Sequence, residues 1–245
     1  MRSKIVCLLA TAFSLGVVQA ASAADMPTKA PMAPVAVPFS WAGFYVGLNA
    51  GYVWGRSSMH DVNSYNGPPD IDYDPRGFQG GGHAGYNWQI NQFVFGVEGE
   101  VGYMAWNKSQ QYPPYVGVRS PNDSTASTSD GAFGVVAGRF GVAFNNYLLF
   151  AKGGGIFTGI TNNFIDTDPI GTTLVSTPTS DRIGWTVGGG IEYAFARNWA
   201  ARVEYAHYAF GTKTSTGTNP AGTTFSFDHK LSADSVRGGI TYLFH

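Results

Sequence analysis

The sequence is poor in charge: Lys, Arg, Asp and Glu make up only 13% of its 245 residues, about half the share usual in a soluble globular protein. It has a single cysteine, Cys7, so a disulfide framework is excluded. No apolar run of 18 or more residues occurs after the first two dozen positions, which excludes membrane-spanning helices. Basic and acidic residues nearly balance, 15 against 16, and no basic patch points to nucleic acid. What the chain does have is glycine, 33 residues, and aromatic side chains, 15%. Little charge, much glycine and many rings suit a β-barrel that meets lipid.

The first residues read as an export signal. Arg2 and Lys4 form a basic start, Ile5 to Val18 is almost uninterrupted apolar and small sequence, and Ala21-Ser22-Ala23 offers a small-x-small cleavage site, the three-part layout of a secretory signal peptide. The apolar run is too short for a spanning helix, which needs about 20 residues. Residues 1–23 are therefore expected to be removed. Cys7 leaves with them, and Lys+Arg falls from 15 to 13 against 16 acids, taking the net charge from -1 to -3. Residues 24–40, with Pro27, Pro31, Pro34 and Pro38, read as an extended periplasmic linker.

From residue 41 to 245 the chain repeats about every 50 residues, four times: a strand, a long polar loop, a second strand, a short turn. The strands are read at 41–57, 77–90, 93–106, 132–144, 147–161, 183–195, 199–212 and 235–244. The short turns are Asn91-Gln92, Asn145-Asn146 and Ala196-Arg197-Asn198, with Asn supplying the turn chemistry. The long connections, 58–76, 107–131, 162–182 and 213–234, are rich in Ser, Thr, Asn, Asp, Gly and Pro. Short turns at one end and long loops at the other are the asymmetry of outer-membrane barrels. The expectation is an all-β, eight-stranded antiparallel up-and-down transmembrane barrel.

Period-2 alternation supports most strands. In the third, Phe93, Phe95, Val97, Val101 and Tyr103 share one face, and Glu98 and Glu100 the other. The fifth is less clean, because Leu148, Leu149 and Phe150 are apolar on both faces. Large aromatics recur beside the short turns: Trp41, Phe44, Trp88, Phe93, Phe144, Tyr147, Phe195, Trp199 and Phe244. A periplasmic belt of rings at a membrane–water boundary explains that placement, and a soluble ligand-filled barrel does not. The apolar face is thus expected to meet lipid. Glu98, Glu100, Glu192 and Glu204 then share the lumen with Arg139, Lys152, Arg202 and Arg237. Four acids meet four bases, as the narrow bore of eight strands requires of desolvated charge. The network is read as a static core holding the barrel, with a gate that passes ions as the alternative. Gly81, Gly85, Gly96, Gly154, Gly190 and Gly239 on these faces are expected to leave room for it.

Catalytic patterns are weak. Glu98 and Glu100 have the spacing for acid–base work, but the opposing bases explain them. His60, His83, His207, His229 and His245 lack metal-ligand spacing, no Ser-His-acid arrangement is readable, and no helix follows Gly80-Gly81-Gly82 or Gly153-Gly154-Gly155 to make a phosphate loop. No enzyme, metal or cofactor is expected. His60 and His229, in different long loops, could meet at the outer surface as a haem or metal site.

The stretches FSWAGFYVGLNAGYVWG (39–55), GFQGGGHAGYNWQI (77–90), FVFGVEGE (93–100), GWTVGGGIEYAFARNWAARVEYAHYAFG (184–211) and VRGGITYLF (236–244) resemble, in order, the small outer-membrane β-barrel proteins of alphaproteobacteria, the porin-like major surface antigens. The resemblance implies an outer-membrane location reached by export, loops exposed to a host or the surroundings, and roles in envelope integrity, pore formation or haem binding. It implies contact with outer-membrane lipid and lipopolysaccharide, and with the barrel-assembly machinery, for which Phe244 followed by His245 departs from the usual aromatic ending. Surface ligands of host or environmental origin are expected at the loops. The function read here is structural, with surface interaction. A narrow diffusion channel and a loop-based receptor such as a haem binder are the alternatives.

Overall fold

The computed structural model describes residues 39–63, 71–106, 108–111, 124–129, 131–167, 173–176 and 181–244. The expected signal peptide, nearly all of the linker, and His245 lie outside the described residues. Among the described residues thirteen strands follow in order: β1 Gly43–Asp61, β2 Ile71–Tyr73, β3 Arg76–Ile90, β4 Phe93–Trp106, β5 Lys108–Gln111, β6 Ser124–Thr128, β7 Gly131–Phe144, β8 Tyr147–Thr158, β9 Asn162–Thr167, β10 Thr173–Ser176, β11 Arg182–Ala196, β12 Trp199–Thr218 and β13 Thr224–Leu243.

Eight of them close a ring. Each long strand pairs antiparallel with the next, β1–β3–β4–β7–β8–β11–β12–β13, and β13 returns to β1 from Tyr45↔Leu243 to Asp61↔Phe227. Closure removes every edge at membrane depth, the condition for strands to stand in lipid. The turns at one end are two residues long. Asn91 (φ 55°) and Asn145 (φ 51°) occupy the left-handed region, which Asn tolerates best among side-chain-bearing residues. The third turn, after Ala196, follows a register shift between Ala194 and Ala196.

The alternating sequence falls on the two faces as the pleat demands. Phe93, Phe95, Val97, Val101 and Tyr103 on β4 are exposed, and Val94, Glu98, Glu100 and Met104 on the alternate face are buried. Such an apolar exterior is the lipid contact of a barrel and would be a large liability in water. Phe93 to Tyr103 is the length of one tilted spanning strand, about 9–11 residues. The unclean fifth strand resolves as β8: Leu149 faces lipid, while Leu148 and Phe150 face inward.

The long connections are not plain loops. β1, β12 and β13 run on well past the lipid-facing band, and β5, β6, β9 and β10 form a second sheet in the order β10-β9-β6-β5. The loop expected at 213–234 is therefore largely strand, and those at 58–76, 107–131 and 162–182 contain strand. The reason is readable in β13: Phe225, Phe227, His229, Leu231 and Ala233 alternate inward and are all buried. That apolar alternation outweighs the Ser, Thr and Asp between them.

Candidate functional site

The lumen is filled from end to end by five layers that alternate in character. Nearest the short turns lie Trp41, Tyr45, Val94, Leu148, Phe150, Ala194, Ala200 and Leu243. The eight charged residues assigned to the lumen from the sequence, Glu98, Glu100, Arg139, Lys152, Glu192, Arg202, Glu204 and Arg237, form the second layer. A third, apolar layer includes Val53, Met104, Trp106, Phe133, Ile156, Tyr208, Phe210 and Leu231. Beyond it come buried polar groups, Thr128, Asn162, Arg182, Ser215 and His229. The last layer is Met59, Tyr73, Ala126, Phe164, Phe225 and Phe227.

The charge layer brings together all eight residues singled out from the sequence, each at most 5% exposed. Glu98 on β4 receives two hydrogen bonds from Arg202 on β12, Nη1 to Oε2 at 2.8 Å and Nη2 to Oε1 at 3.0 Å. It also takes Lys152 Nζ at 2.8 Å and the Tyr45 hydroxyl at 3.0 Å, with Arg139 at 3.7 Å. Glu192 receives Arg139 Nη2 at 3.0 Å. Glu204 meets Arg202, Lys152 at 2.8 Å and Arg237 at 2.5 Å, and Glu100 meets both terminal nitrogens of Arg237, Nη2 at 2.8 Å. Every acid touches at least one base directly, as buried charge requires. Guanidinium groups also lie over one ring: Arg139 is 4.3 Å and Arg202 4.7 Å from the centre of Phe150, a desolvated contact worth about 2 kcal/mol.

Glycine makes the room. A Cβ on Gly85 would strike the Tyr45 hydroxyl, and one on Gly96 would stand 3.0 Å from Arg139 Cγ. His83, also buried here, bonds Thr241 at 3.1 Å. Asn49 donates to Glu100 at 3.2 Å. These polar neighbours carry no charge pattern that sequence reading could have used.

Of the aromatic belt, Phe44, Trp88, Phe93, Phe144, Tyr147, Phe195, Trp199 and Phe244 lie exposed on the outer wall at the short-turn end. Trp41 does not, and the reading of it as a belt residue is corrected. It precedes β1, its backbone N–H donates to Gln89 Oε1 at 2.6 Å, its backbone carbonyl accepts from Asn87 Nδ2 at 3.1 Å, and its ring is 0% exposed inside the bore. A second exposed belt, Tyr52, Phe78, Tyr103, Phe157, Trp185 and Tyr205, marks the other membrane boundary. It was missed because these rings border long polar stretches.

His60 and His229 do not converge. Met59 pairs with His229 and His60 with Asp228, so the pleat puts exposed His60 and fully buried His229 on opposite faces. His229 instead bonds Ser215 at 2.9 Å. Its Nδ1 has no partner and no acid orients it, so the pair lacks the third member of a hydrolytic triad. Among the described residues no cluster of three potential metal ligands occurs.

A closed barrel with a lipid-facing apolar wall, two aromatic belts and a charged, filled lumen is an integral outer-membrane protein. Residues 5–231 match the model of the outer membrane protein beta-barrel domain, and the chain belongs to that family. It is 31% identical to the 31 kDa outer-membrane immunogenic protein of Brucella melitensis over the whole of both chains. It is 34% identical to the 22 kDa outer membrane protein of Rhizobium leguminosarum bv. viciae, covering 87% of this chain and 88% of that one. The crystal structure of the outer membrane protease OmpT from Escherichia coli is similar with a TM-score of 0.52 over 85% of this chain and 99% of that one, at 9% identity. The last is a likeness of fold alone.

Proposed function

We propose that the protein is a sealed outer-membrane anchor whose work is mechanical and interfacial: it holds the envelope and presents its long-loop end to the surroundings, and it neither conducts nor catalyses. The observation that carries this reading is the pair Glu98 and Arg202, joined across the bore and enclosed between two apolar layers. An ion on the barrel axis would have to break paired, desolvated charges and then cross two layers of packed rings. Eight strands leave just enough interior for side chains to fill. Its relatives carry the name immunogenic protein, which supports exposure of the far end to a host.

The reading divides labour between wall and loops, and complementation separates the two. In a strain deleted for the gene, a version shortened within 112–123 should restore resistance to detergent and bile salts. The same version should lose binding of antibodies raised against intact cells. Restoration only by a version that keeps those residues, or entry of small sugars that depends on the protein, would contradict the proposal.

A further inference from the structure

In the charge layer every buried base is matched by an acid. The polar layer further out breaks that rule. Arg182 on β11 is 2% exposed, and among the described residues no carboxylate stands within ion-pair distance of it. Its guanidinium meets neutral oxygens alone. Nη1 donates to the His229 carbonyl at 3.2 Å. Asn162, with its amide oxygen turned to the arginine, accepts from Nη2 at 2.9 Å and Nε at 3.0 Å, and its nitrogen donates to Thr128 at 2.6 Å. Among the described residues Asp61 and Asp166 are the acids buried in this half of the lumen, and they lie on the far side of the last apolar layer. Asp166 is two positions beyond Phe164 on β9, and Asn162 is two positions before it. Asp61 is likewise two positions beyond Met59 on β1.

Hydrogen bonds to neutral oxygens satisfy donors and leave the charge uncancelled. An arginine cannot lose its proton to escape burial, and an isolated buried charge is among the costliest groups a fold can hold. Of its five N–H groups, the contacts above engage three and leave two. Three further polar atoms in this layer and the one beneath it have no partner: His229 Nδ1, Ser57 Oγ and Trp106 Nε1, each in a residue at most 2% exposed. All three can donate. The indole N–H is a donor only. The Ser215 hydroxyl meets His229 Nε2 at 2.9 Å and the Phe227 carbonyl at 3.4 Å. Taking the shorter contact as the hydroxyl's donation assigns the ring proton to Nδ1. Trp106 is close by: a Cβ on Gly55 would stand 2.9 Å from its ring, two positions below Ser57 on β1.

We propose that this layer binds one small monovalent anion of the chloride class, held by Arg182 and by the donors of His229, Ser57 and Trp106. Water would satisfy the donors and leave the charge standing, whereas an anion answers both. One uncancelled cation calls for one negative charge. A sulfate or phosphate would bring an excess charge between two apolar layers, where nothing cancels it. The site lies one apolar layer outside the paired charges, so it stands whether or not that layer conducts. Bound there, the anion ties β11 to β13 across the outer end of the barrel and stabilises the closed form by mass action.

The test is hydrogen exchange in 209–232 of the full protein refolded in detergent, with chloride exchanged for gluconate at constant ionic strength. Raising chloride about a hundredfold should slow exchange there at least about fivefold. Bromide should act like chloride, and sulfate should not. Arg182→Gln should remove the dependence while heat-modifiable mobility is kept. If that variant does not fold, Ser57→Ala and Trp106→Phe, which remove donors and keep the charge, take its place. Each should raise the chloride concentration for half protection at least about threefold. Exchange in the parent that ignores chloride would overturn the site, as would an equal response in Arg182→Gln or, in its place, in both donor variants. Sulfate protecting as well as chloride would overturn the assignment to a small monovalent anion.

Discussion

Glu98 and Arg202 join opposite walls of the barrel: β4 and β12 are four places apart in a ring of eight strands, and two parallel N–H to O contacts of 2.8 and 3.0 Å connect them across the bore. Positions 104 apart in the sequence are closed into one loop by a single bidentate contact. The same carboxylate takes Lys152 and Tyr45, which makes Glu98 the hub of the lumen.

Glu98→Gln should therefore be among the most damaging single changes in the chain. It leaves Arg202 and Lys152 buried without a principal counter-charge, a cost of about 3–5 kcal/mol. Urea unfolding in detergent, followed by tryptophan fluorescence, should show the midpoint fall accordingly. The double variant Glu98→Met, Arg202→Met should be less damaged than the single one, because it removes charge of both signs. A double variant worse than the single would mean that the network stabilises beyond its own pairing.

Trp41 separates two readings of the short-turn end. Its ring fills the bore and meets Phe39 edge-on at 5.1 Å, so Trp41→Ala leaves a cavity costing about 3–5 kcal/mol. Trp199, on the lipid face, contacts Tyr242 at 5.1 Å from outside, and Trp199→Ala should cost clearly less. Equal losses in the same urea titration would return Trp41 to the belt.

Much of this was legible and some was not, for reasons tied to particular residues. The fourfold repeat of strand, long loop, strand and short turn located the eight wall strands, and period-2 alternation in most of them put charge on the face away from lipid, because a charge inside a narrow barrel must alternate with lipid-facing apolar residues. Trp41 was misplaced because it precedes β1, where strand parity has nothing to say and Gln89 and Asn87 decide its direction. The extended β12 and β13 were read as a polar loop although Phe225, Phe227, His229 and Leu231 alternate there. The apolar layers on either side of the charges come from strands far apart in sequence, and only the closed register stacks them.

His229 makes the loop-side end sensitive to acid. It lies seven residues past Val236, beyond the lipid-facing band, fully buried. Burial first, and the charge of Arg182 second, lower its pKa from 6.5 to about 4. Lys213 lies opposite it in register, Arg182 bonds its carbonyl at 3.2 Å, and Tyr73, Asp61 and Asp166 are the other titratable groups buried in this part of the lumen. Below pH 6.5 the opened segment takes up a proton that the closed one refuses, so stability is full at neutral pH and is lost as pH falls toward 4. Hydrogen exchange in 209–232 should accelerate over that window, and His229→Gln should flatten the response. Unchanged acceleration in the variant would assign the effect to another group.

The central claim is that the lumen is sealed, and single-channel recording of the refolded protein in a planar bilayer tests it most directly. The account predicts a folded, heat-modifiable barrel that stays electrically silent at neutral pH. Discrete conductance steps that change in size when Glu98 is neutralised would contradict it, and would make the paired charges a gate.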